Sequence, residues 1–338
     1  MQYSTFAAID IGSYDVILEI FEISKKQGIR SVDKICHRKE LGKDTYTLGK
    51  IRPEMEEELC RVLADFVRIM EGYRVDDYRA TASSAISEAS NSLYVLGKIH
   101  QLTGFSVTVL SNSEQRFLSY KVLAAMEDNF NKIIEKGTAI LDLDGGSFQI
   151  SLFDKDALVT TQNIRMGSLR IRERLAGIQS ETEHYEEMVE ELIWNEVSSF
   201  KKMYLKDRKI ENIMLIGDVF TDSVYQNIEE KTTKIISREN FNTWYEKIIR
   251  QSPMELAVKL GIPLENASLM YPSAVIYKCL IDMMGAEHIW IPGVHMTRGI
   301  AYEYAEQMKL LKGGHNFEND ILMAAKNIGK RYAVNRPH

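Results

Sequence analysis

The sequence contains one short pattern twice, once near its beginning and once near its middle. In each copy an apolar strand carries an aspartate near its end and runs through a glycine–serine turn into a second apolar strand. The first copy covers residues 5–23 and includes Asp10, and the second covers residues 138–153 and includes Asp142. Internal repetition predicts two similar lobes, whose turns and acids would face each other across one cleft. The alternative is two unrelated hairpins, because glycine turns commonly join strands.

The glycine turns of both copies are candidate phosphate-binding loops. Glycine lacks a Cβ atom and lets the backbone approach a ligand closely, and successive backbone N–H groups can form a concave site for phosphate oxygens. The residues of these turns that are predicted to bind phosphate are Gly12, Ser13, Gly145, Gly146 and Ser147. An aspartate beside such a turn can orient water or hold a hard cation such as Mg²⁺.

Length and composition limit the alternatives. A chain of 338 residues fits one large or two medium domains. Its formal net charge of −6 gives no support for nucleic-acid binding, and no apolar run approaches the ~20 residues that span a bilayer. The cysteines, Cys36, Cys60 and Cys279, are widely spaced and are expected to be free thiols. With no signal peptide recognised, we expect a soluble cytoplasmic protein that binds neither nucleic acid nor membrane.

Apolar periodicity predicts the elements around these turns. Strands and helices alternate in both halves of the chain, which predicts an α/β fold. Residues 41–50 are predicted to form a glycine-containing loop, and a helix is predicted to begin at Pro53, because proline is tolerated in the first helical turn. A further helix is expected from about residue 299 to residue 311.

Five short sequence blocks carry a resemblance to a known family. They are residues 8–13, 82–91, 111–116, 141–149 and the stretch that begins at Arg165. Together, and in this order, they resemble the exopolyphosphatase / guanosine pentaphosphate phosphohydrolase (Ppx/GppA phosphatase) family over roughly residues 5–311. The resemblance implies two ribonuclease-H-like lobes of the actin–hexokinase (ASKHA) superfamily that face a central cleft.

The resemblance also implies a domain organisation. Residues 1–127 and about 295–312 would form the first lobe, and residues 128–294 the second. Residues 313–338 would be a helical tail, because residues 316–331 resemble the first helix of an extra C-terminal helical domain in longer family members. A helix that buries its apolar face alone gains little. We therefore expect the tail to dock on a lobe, to mediate contacts in a homodimer, or to be mobile.

The implied activity is metal-dependent hydrolysis of a terminal phosphoanhydride in inorganic polyphosphate or a guanosine pentaphosphate-like nucleotide. Glu114 matches the family's base for the attacking water, although the family usually has one more residue between the serine of this block and its glutamate. The alternative to a catalytic role is that Glu114 only complements the positive end of the helix dipole at a helix N-terminus. Asp142 matches an acid that acts on water or metal, and Asp10 matches its equivalent in the first lobe. Both of them, together with Asp144, are candidate ligands of Mg²⁺. Arg170 would face the anionic substrate, or else is a surface arginine.

Several positions depart from the family pattern, and the changes remove cations and add acids. Tyr14 and Asp15 replace the usual asparagine and serine, and Ser87 replaces an arginine. Asp144 replaces the first glycine of the second turn, and Gln149 replaces a glutamate. A charge pair at ~4 Å is worth about 4 kcal/mol at an effective dielectric constant of 20. The added acids therefore oppose polyphosphate binding unless they hold a cation.

Two functions from different classes are compatible with these changes. The acids at positions 15, 142 and 144 can build a more metal-dependent hydrolase. Alternatively, the chain is a catalytically weakened or inactive family member that binds a nucleotide, polyphosphate or another protein. A sugar- or acetate-kinase-like phosphotransferase of the same superfamily is disfavoured, because residues 217–220 lack a Gly-Gly-Thr-type nucleotide loop.

Overall fold

The described residues form two mixed β-sheets flanked by helices. The computed structural model describes residues 3–126, 130–155, 157–176, 185–205, 208–227 and 235–311. The first sheet contains β1 (Ser4–Ile11), β2 (Asp15–Ser24), β3 (Gly28–Arg38), β4 (Asp77–Ala82) and β5 (Val107–Val109). The second contains β6 (Thr138–Leu143), β7 (Phe148–Asp154), β8 (Ala157–Ile164), β9 (Asn212–Ile216), β10 (Ile235–Ser237) and β11 (His288–Trp290). Their spatial orders are β3-β2-β1-β4-β5 and β10-β11-β9-β6-β7-β8.

Helices connect the strands and cover the sheets. In the first half they are α1 (Leu41–Leu48), α2 (Pro53–Tyr73), α3 (Ser84–Ser87), α4 (Ser92–Thr103), α5 (Asn112–Met126) and α6 (Phe130–Ile134). In the second half they are α7 (Ser168–Leu175), α8 (Tyr185–Phe200) with a π-helical extension (Lys201–Leu205), α9 (Val219–Asn227), α10 (Arg238–Ile249), α11 (Pro253–Leu260), α12 (Leu264–Met284) and α13 (Met296–Gln307). None of the described helices is both long enough and apolar enough to cross a membrane.

The two sheets share one connectivity. In each sheet the first three strands form an antiparallel meander, β1-β2-β3 and β6-β7-β8. The next strand of each sheet pairs parallel with the first, β4 with β1 and β9 with β6. The two sheets are thus two copies of one strand arrangement. The α/β fold with two similar lobes that the repeated pattern predicts is therefore confirmed.

Helix α13 returns to the first sheet after the chain has completed the second. Successive residues of β1 point to opposite faces, so residues an odd number apart lie on different faces. Ile9 packs in the cluster that includes Phe66 of α2, and Phe6 packs against α13, where its ring stacks on Tyr304 with the centroids 4.1 Å apart. The division of the chain at residues 127 and 295 stays a prediction, and the tail at residues 313–338 lies outside the described residues.

The prediction of a loop at residues 41–50 was wrong. Most of this stretch is helix α1, and Gly49 ends it in the left-handed conformation with φ +72°. Leu41 and Thr45 are buried, and Thr45 Oγ1 donates a hydrogen bond to Ala85 O at 2.7 Å. Burial of the segment against α3 and α7 stabilises the helix, as tertiary packing often does for short helices.

Helices α5 and α13 approach closely at Gly299. A Cβ atom here would lie 2.9 Å from both Leu118 Cβ and Leu118 O, and overpacking typically costs about 1–3 kcal/mol. We expect Gly299→Ala to lower the free energy of unfolding by that amount in urea denaturation. Gly97→Ala in α4 is the matched control. A Cβ atom at Gly97 meets nothing within 4 Å, so we expect stabilisation of about 0.5–1 kcal/mol. Equal effects of the two substitutions would contradict the close approach.

Candidate functional site

A cleft opens where the two copies of the repeated pattern meet. It encloses about 280 Å³. Asp10, near the end of β1, and Asp142, near the end of β6, both line it. Because β1 and β6 each run into their glycine turn at this point, equivalent positions of the repeat come together at one site.

Aspartates dominate the described walls of the cleft. The aspartates that line it are Asp10, Asp15, Asp142, Asp144 and Asp222, and the lysine and arginine side chains are those of Lys34 and Arg38. Burial, with the charges of Asp15 and Asp144, raises the pKa of Asp10 to about 8. Burial also raises the pKa of Asp142 to about 7, against a hydrogen bond from Ser119 Oγ at 3.1 Å, and that of Asp144 to about 6. The described walls therefore carry more negative charge than their cations offset.

These acids fit a hard divalent cation that is shared with a ligand. Among the residues that the structure describes, no three histidine, cysteine, aspartate or glutamate side chains lie close enough to bind one metal ion. Mg²⁺, however, is usually held by one or two carboxylates together with water and substrate phosphates. Asp144 lies near both Asp10 and Asp142, since its charge raises the pKa of each. The carboxylates thus supply the oxygen donors that Mg²⁺ prefers and leave positions for a phosphate.

The residues predicted to bind phosphate divide into two groups. Gly12 and Ser147 line the cleft. Ser13 is fully buried behind it, with its Oγ 2.7 Å from Tyr46 Oη and 3.5 Å from Asp144 Oδ2. A Cβ atom on Gly145 would lie 3.0 Å from Ser13 Cβ, and one on Gly146 would collide with Tyr46 Oη. These residues pack the two turns against each other, and their role toward phosphate stays a prediction.

Arg170 belongs to the same contact between the two halves. Its Nε donates a hydrogen bond to Gly146 O at 2.8 Å, and its Nη2 lies 2.9 Å from Glu88 Oε2. Its guanidinium carbon lies 3.9 Å from the centroid of the Tyr46 ring, and Arg165 pairs with the same Glu88 carboxylate. Arg170 is therefore paired with Glu88 beside the cleft, and its role as a phosphate ligand stays a prediction.

Glu114 lies in the first turn of α5, where its carboxylate closes a capping box. Glu114 Oε2 accepts hydrogen bonds from Ser111 N and Ser111 Oγ, both at 2.7 Å. These hydrogen bonds lower the pKa of the exposed Glu114 carboxyl. The neighbouring Gln115 lines the cleft, and Glu114 does not.

Comparison with known families identifies the chain. A model of the Ppx/GppA phosphatase family matches residues 20–308. The chain belongs to the Ppx/GppA phosphatase family. The resemblance carried by the five sequence blocks is therefore confirmed, and family membership supports a phosphatase-like function.

Solved structures of Ppx/GppA proteins have the same fold. An exopolyphosphatase from Cytophaga hutchinsonii superposes with a TM-score of 0.78 at 17% sequence identity, covering 91% of this chain and 100% of that one. The Ppx/GppA family member from Aquifex aeolicus superposes with a TM-score of 0.72 at 17% identity, covering 91% of this chain and 99% of that one. These similarities establish the ASKHA fold, with its two lobes around a cleft.

A curated relative is a larger protein. The bifunctional 3-dehydroquinate synthase/phosphatase of Fusobacterium nucleatum is 22% identical over 315 residues, which cover 84% of this chain. The matched region spans only 44% of that relative's length. The similarity to this bifunctional protein therefore concerns less than half of it.

Several cleft residues escaped the sequence analysis of this Ppx/GppA chain. Lys34 and Arg38 lie on β3, Asp222 on α9, and His295 directly before α13. The even spacing of Lys34 and Arg38 was a usable signal, because on a strand it places both side chains on one face. No sequence signal marked Asp222 and His295, since only tertiary packing brings α9 and α13 to the cleft. Tyr46 was hidden in the stretch predicted as a loop.

The raised pKa of Asp10 predicts a pH-dependent stability. Between the ordinary value of 3.8 and about 8 the folded state binds more protons than the unfolded state, so stability falls as pH rises through this range. Asparagine resembles the protonated acid and has no such dependence. We expect Asp10→Asn to stabilise the protein more at pH 8 than at pH 5, by roughly 1–3 kcal/mol, in urea titrations without divalent cations. Asp65→Asn on the surface of α2, where the carboxylate is 48% exposed, is the control, and a pH profile equally changed by both would contradict this prediction.

Proposed function

We propose that the chain hydrolyses the terminal phosphoanhydride of a polyphosphorylated ligand bound in the cleft, with a divalent cation. The substrate in this proposal is inorganic polyphosphate or a guanosine pentaphosphate-like nucleotide. The observation that carries it is the meeting of Asp10, Asp142 and Asp144 beside the glycine turns in one cleft. Membership of the Ppx/GppA phosphatase family supports the reaction class.

Mg²⁺ is proposed to be held by one or two of the carboxylates of Asp10, Asp142 and Asp144, together with water and the phosphate oxygens of the ligand. When bound, such a cation offsets the charge that develops on the phosphoryl oxygens of the transition state. It also offsets the excess negative charge of the cleft walls. The carboxylates that bind it must lose their protons first, which couples cation binding to pH.

The chain's own groups position the phosphoanhydride. Gly12 and Ser147 stand in the cleft wall beside the acids, where the turns can direct backbone N–H groups at phosphoryl oxygens. Ser119 holds Asp142 in place through its hydrogen bond of 3.1 Å. Hydrolysis of this type depends mainly on such positioning and on stabilisation of charge, because the protein itself takes little part in the covalent steps.

Glu114 is proposed as the base for the attacking water. In the capping box its carboxylate accepts from Ser111 N and Ser111 Oγ, so it must leave these donors before it can accept a proton from water in the cleft. The base must also lie within hydrogen-bond reach of that water. The proposal therefore requires that the first turn of α5 opens when the ligand binds.

Binding without hydrolysis is a second candidate function, and Gln115 favours it. Gln115 is the residue of this block that lines the cleft, and a neutral amide does not accept a proton from water as a carboxylate does. Gln149 also lines the cleft, where the family pattern has a glutamate. A chain of this kind would bind the polyphosphorylated ligand and retain it.

Cation binding has a readout that does not depend on activity. We expect Mg²⁺ to raise the melting temperature, and to raise it more at pH 8 than at pH 5, because carboxylates bind metal only when ionised. At 100 times the dissociation constant the stabilisation is about 2.7 kcal/mol. Differential scanning calorimetry with Mg²⁺ or EDTA measures it. Asp142→Asn should reduce the shift and Asp65→Asn should not; no shift at either pH would refute the cation site.

Phosphate release separates the two functions. If Glu114 is the base, Glu114→Gln lowers the turnover of polyphosphate by about 10²–10⁴ and leaves ligand affinity unchanged. Ser111→Ala is the matched control, since it removes the capping hydroxyl and keeps the carboxylate. Turnover equal to that of the wild-type protein would remove Glu114 from the mechanism.

The substitution Gln115→Glu tests the binding function directly. If the cleft binds without hydrolysis, the wild-type protein releases no phosphate in the presence of Mg²⁺, and Gln115→Glu gains measurable release. A wild-type protein that hydrolyses polyphosphate, and that Gln115→Glu does not accelerate, would exclude the binding function.

A further inference from the structure

Strand β3 forms part of one wall of the cleft. It pairs with β2 so that Cys36 lies opposite Ile17 and Arg38 opposite Asp15. Alternate residues of a strand face the same side, and Lys34, Cys36 and Arg38 accordingly line the cleft. Ile35, between them, packs against the core of the first lobe. The strand therefore presents two cations to the cleft, with Cα atoms about 13 Å apart at 3.3 Å per residue.

Lys34 has a free ammonium group on this wall. Within the described part of the chain this ammonium group makes no hydrogen bond or ion pair, and the Lys34 side chain is exposed. Its charge nevertheless reaches the neighbouring groups. Burial, together with the charge of Lys34, lowers the pKa of His295 to about 4. Burial raises the pKa of Asp222 to about 6, and Lys34 opposes this rise.

Arg38 is held in a fixed orientation. Its guanidinium carbon lies 4.7 Å from the centroid of the Tyr14 ring, and its Nη1 donates a hydrogen bond to Tyr14 O at 3.2 Å. The same Nη1 lies 3.9 Å from Asp15 Oδ2, which is too long for a strong ion pair. The guanidinium group has five N–H donors, so it keeps donors for a ligand. Arg38 is thus preorganised at the end of β3 nearest to the glycine turn.

We propose that Lys34 and Arg38 bind the anionic tail of the ligand, remote from the phosphoryl group at Asp10 and Asp142. This inference rests on the proposed function. The two side chains are the lysine and arginine of the described cleft wall. Negatively charged groups of a ligand that lie away from the acids can therefore pair with these cations on β3. Lys34 and Arg38 also offset Asp15 and Asp222, which would otherwise repel an anion at this end.

The spacing of the two cations defines a class of ligand. A single phosphate or a pyrophosphate that is held at the acids leaves little charge to extend along β3. A linear chain of three or more linked phosphates can occupy both regions at once. The site therefore favours an extended polyphosphoryl group, carried either by inorganic polyphosphate or by a nucleotide.

Isothermal titration calorimetry in the presence of Mg²⁺ tests the subsite with tripolyphosphate and pyrophosphate as probes. We expect Lys34→Met to weaken tripolyphosphate binding about tenfold, the value of one hydrogen bond to a charged group. Its effect on pyrophosphate should be smaller than about twofold, because the remaining interaction is screened. Lys26→Met, at the exposed turn between β2 and β3, is the matched control and should change neither affinity. Both variants should melt at the temperature of the wild-type protein.

The outcomes separate this inference from the proposed function. A wild-type protein that binds neither phosphate would overturn both. If the wild-type protein binds both probes and Lys34→Met binds them with unchanged affinity, only the subsite on β3 fails. Equal weakening of both probes would show that Lys34 acts through the general charge of the cleft, and this would also overturn the subsite.

Discussion

The direct packing of the two glycine turns against each other determines the geometry of the cleft. A Cβ atom on Gly145 would lie 3.0 Å from Tyr14 Cδ1, and one on Gly167 would collide with the backbone of residues 144 and 145. Gly42 N donates a hydrogen bond to Ser13 O at 2.7 Å and so ties α1 to the first turn. Only residues without side chains allow this approach, and it brings the acids of both copies to one site.

Polar contacts at the edge of the cleft reinforce this packing. Arg172 binds both oxygens of Glu40, at 2.7 and 2.8 Å, across the two halves of the chain. Arg170 and Glu88 form a second ion pair, through a single contact of 2.9 Å between Nη2 and Oε2. Bidentate arginine–carboxylate pairs fix orientation as well as distance. These contacts hold the two lobes in the relative position in which the turns meet.

The cleft concentrates carboxylates where its own cations cannot balance them. Asp10 and Asp142 have raised pKa values because burial and a neighbouring acid both disfavour their charge. Such shifts are typical of functional sites, because a structural core rarely keeps an unbalanced group of acids. Among the described residues of the cleft wall, Lys34 and Arg38 of β3 supply the lysine and arginine charges that oppose these acids. In the proposed function, a bound cation would supply the rest.

The roles of neighbouring residues in one short block show how finely the site depends on local structure. Glu114 and Gln115 are adjacent in sequence, yet one closes a helix cap and the other lines the cleft. Successive residues of a helix point about 100° apart, so a shift of one residue exchanges their surroundings. In the proposed function, hydrolysis requires Glu114 to meet the attacking water, whereas contact of the water with Gln115 would leave binding alone.

The sequence alone determined the two-lobed α/β fold, because a repeated strand–acid–turn–strand pattern has a local period that can be read without tertiary contacts. It also placed Asp10, Asp142 and Asp144 at the meeting point of the two copies. It could not show that Ser13, Gly146 and Arg170 lie in the contact behind the cleft, nor that Lys34 and Asp222 line the cleft itself. Those placements depend on how the two lobes dock. Docking is set by side-chain packing between segments far apart in the chain, such as α1 on α7, and such packing leaves no periodic trace in the sequence.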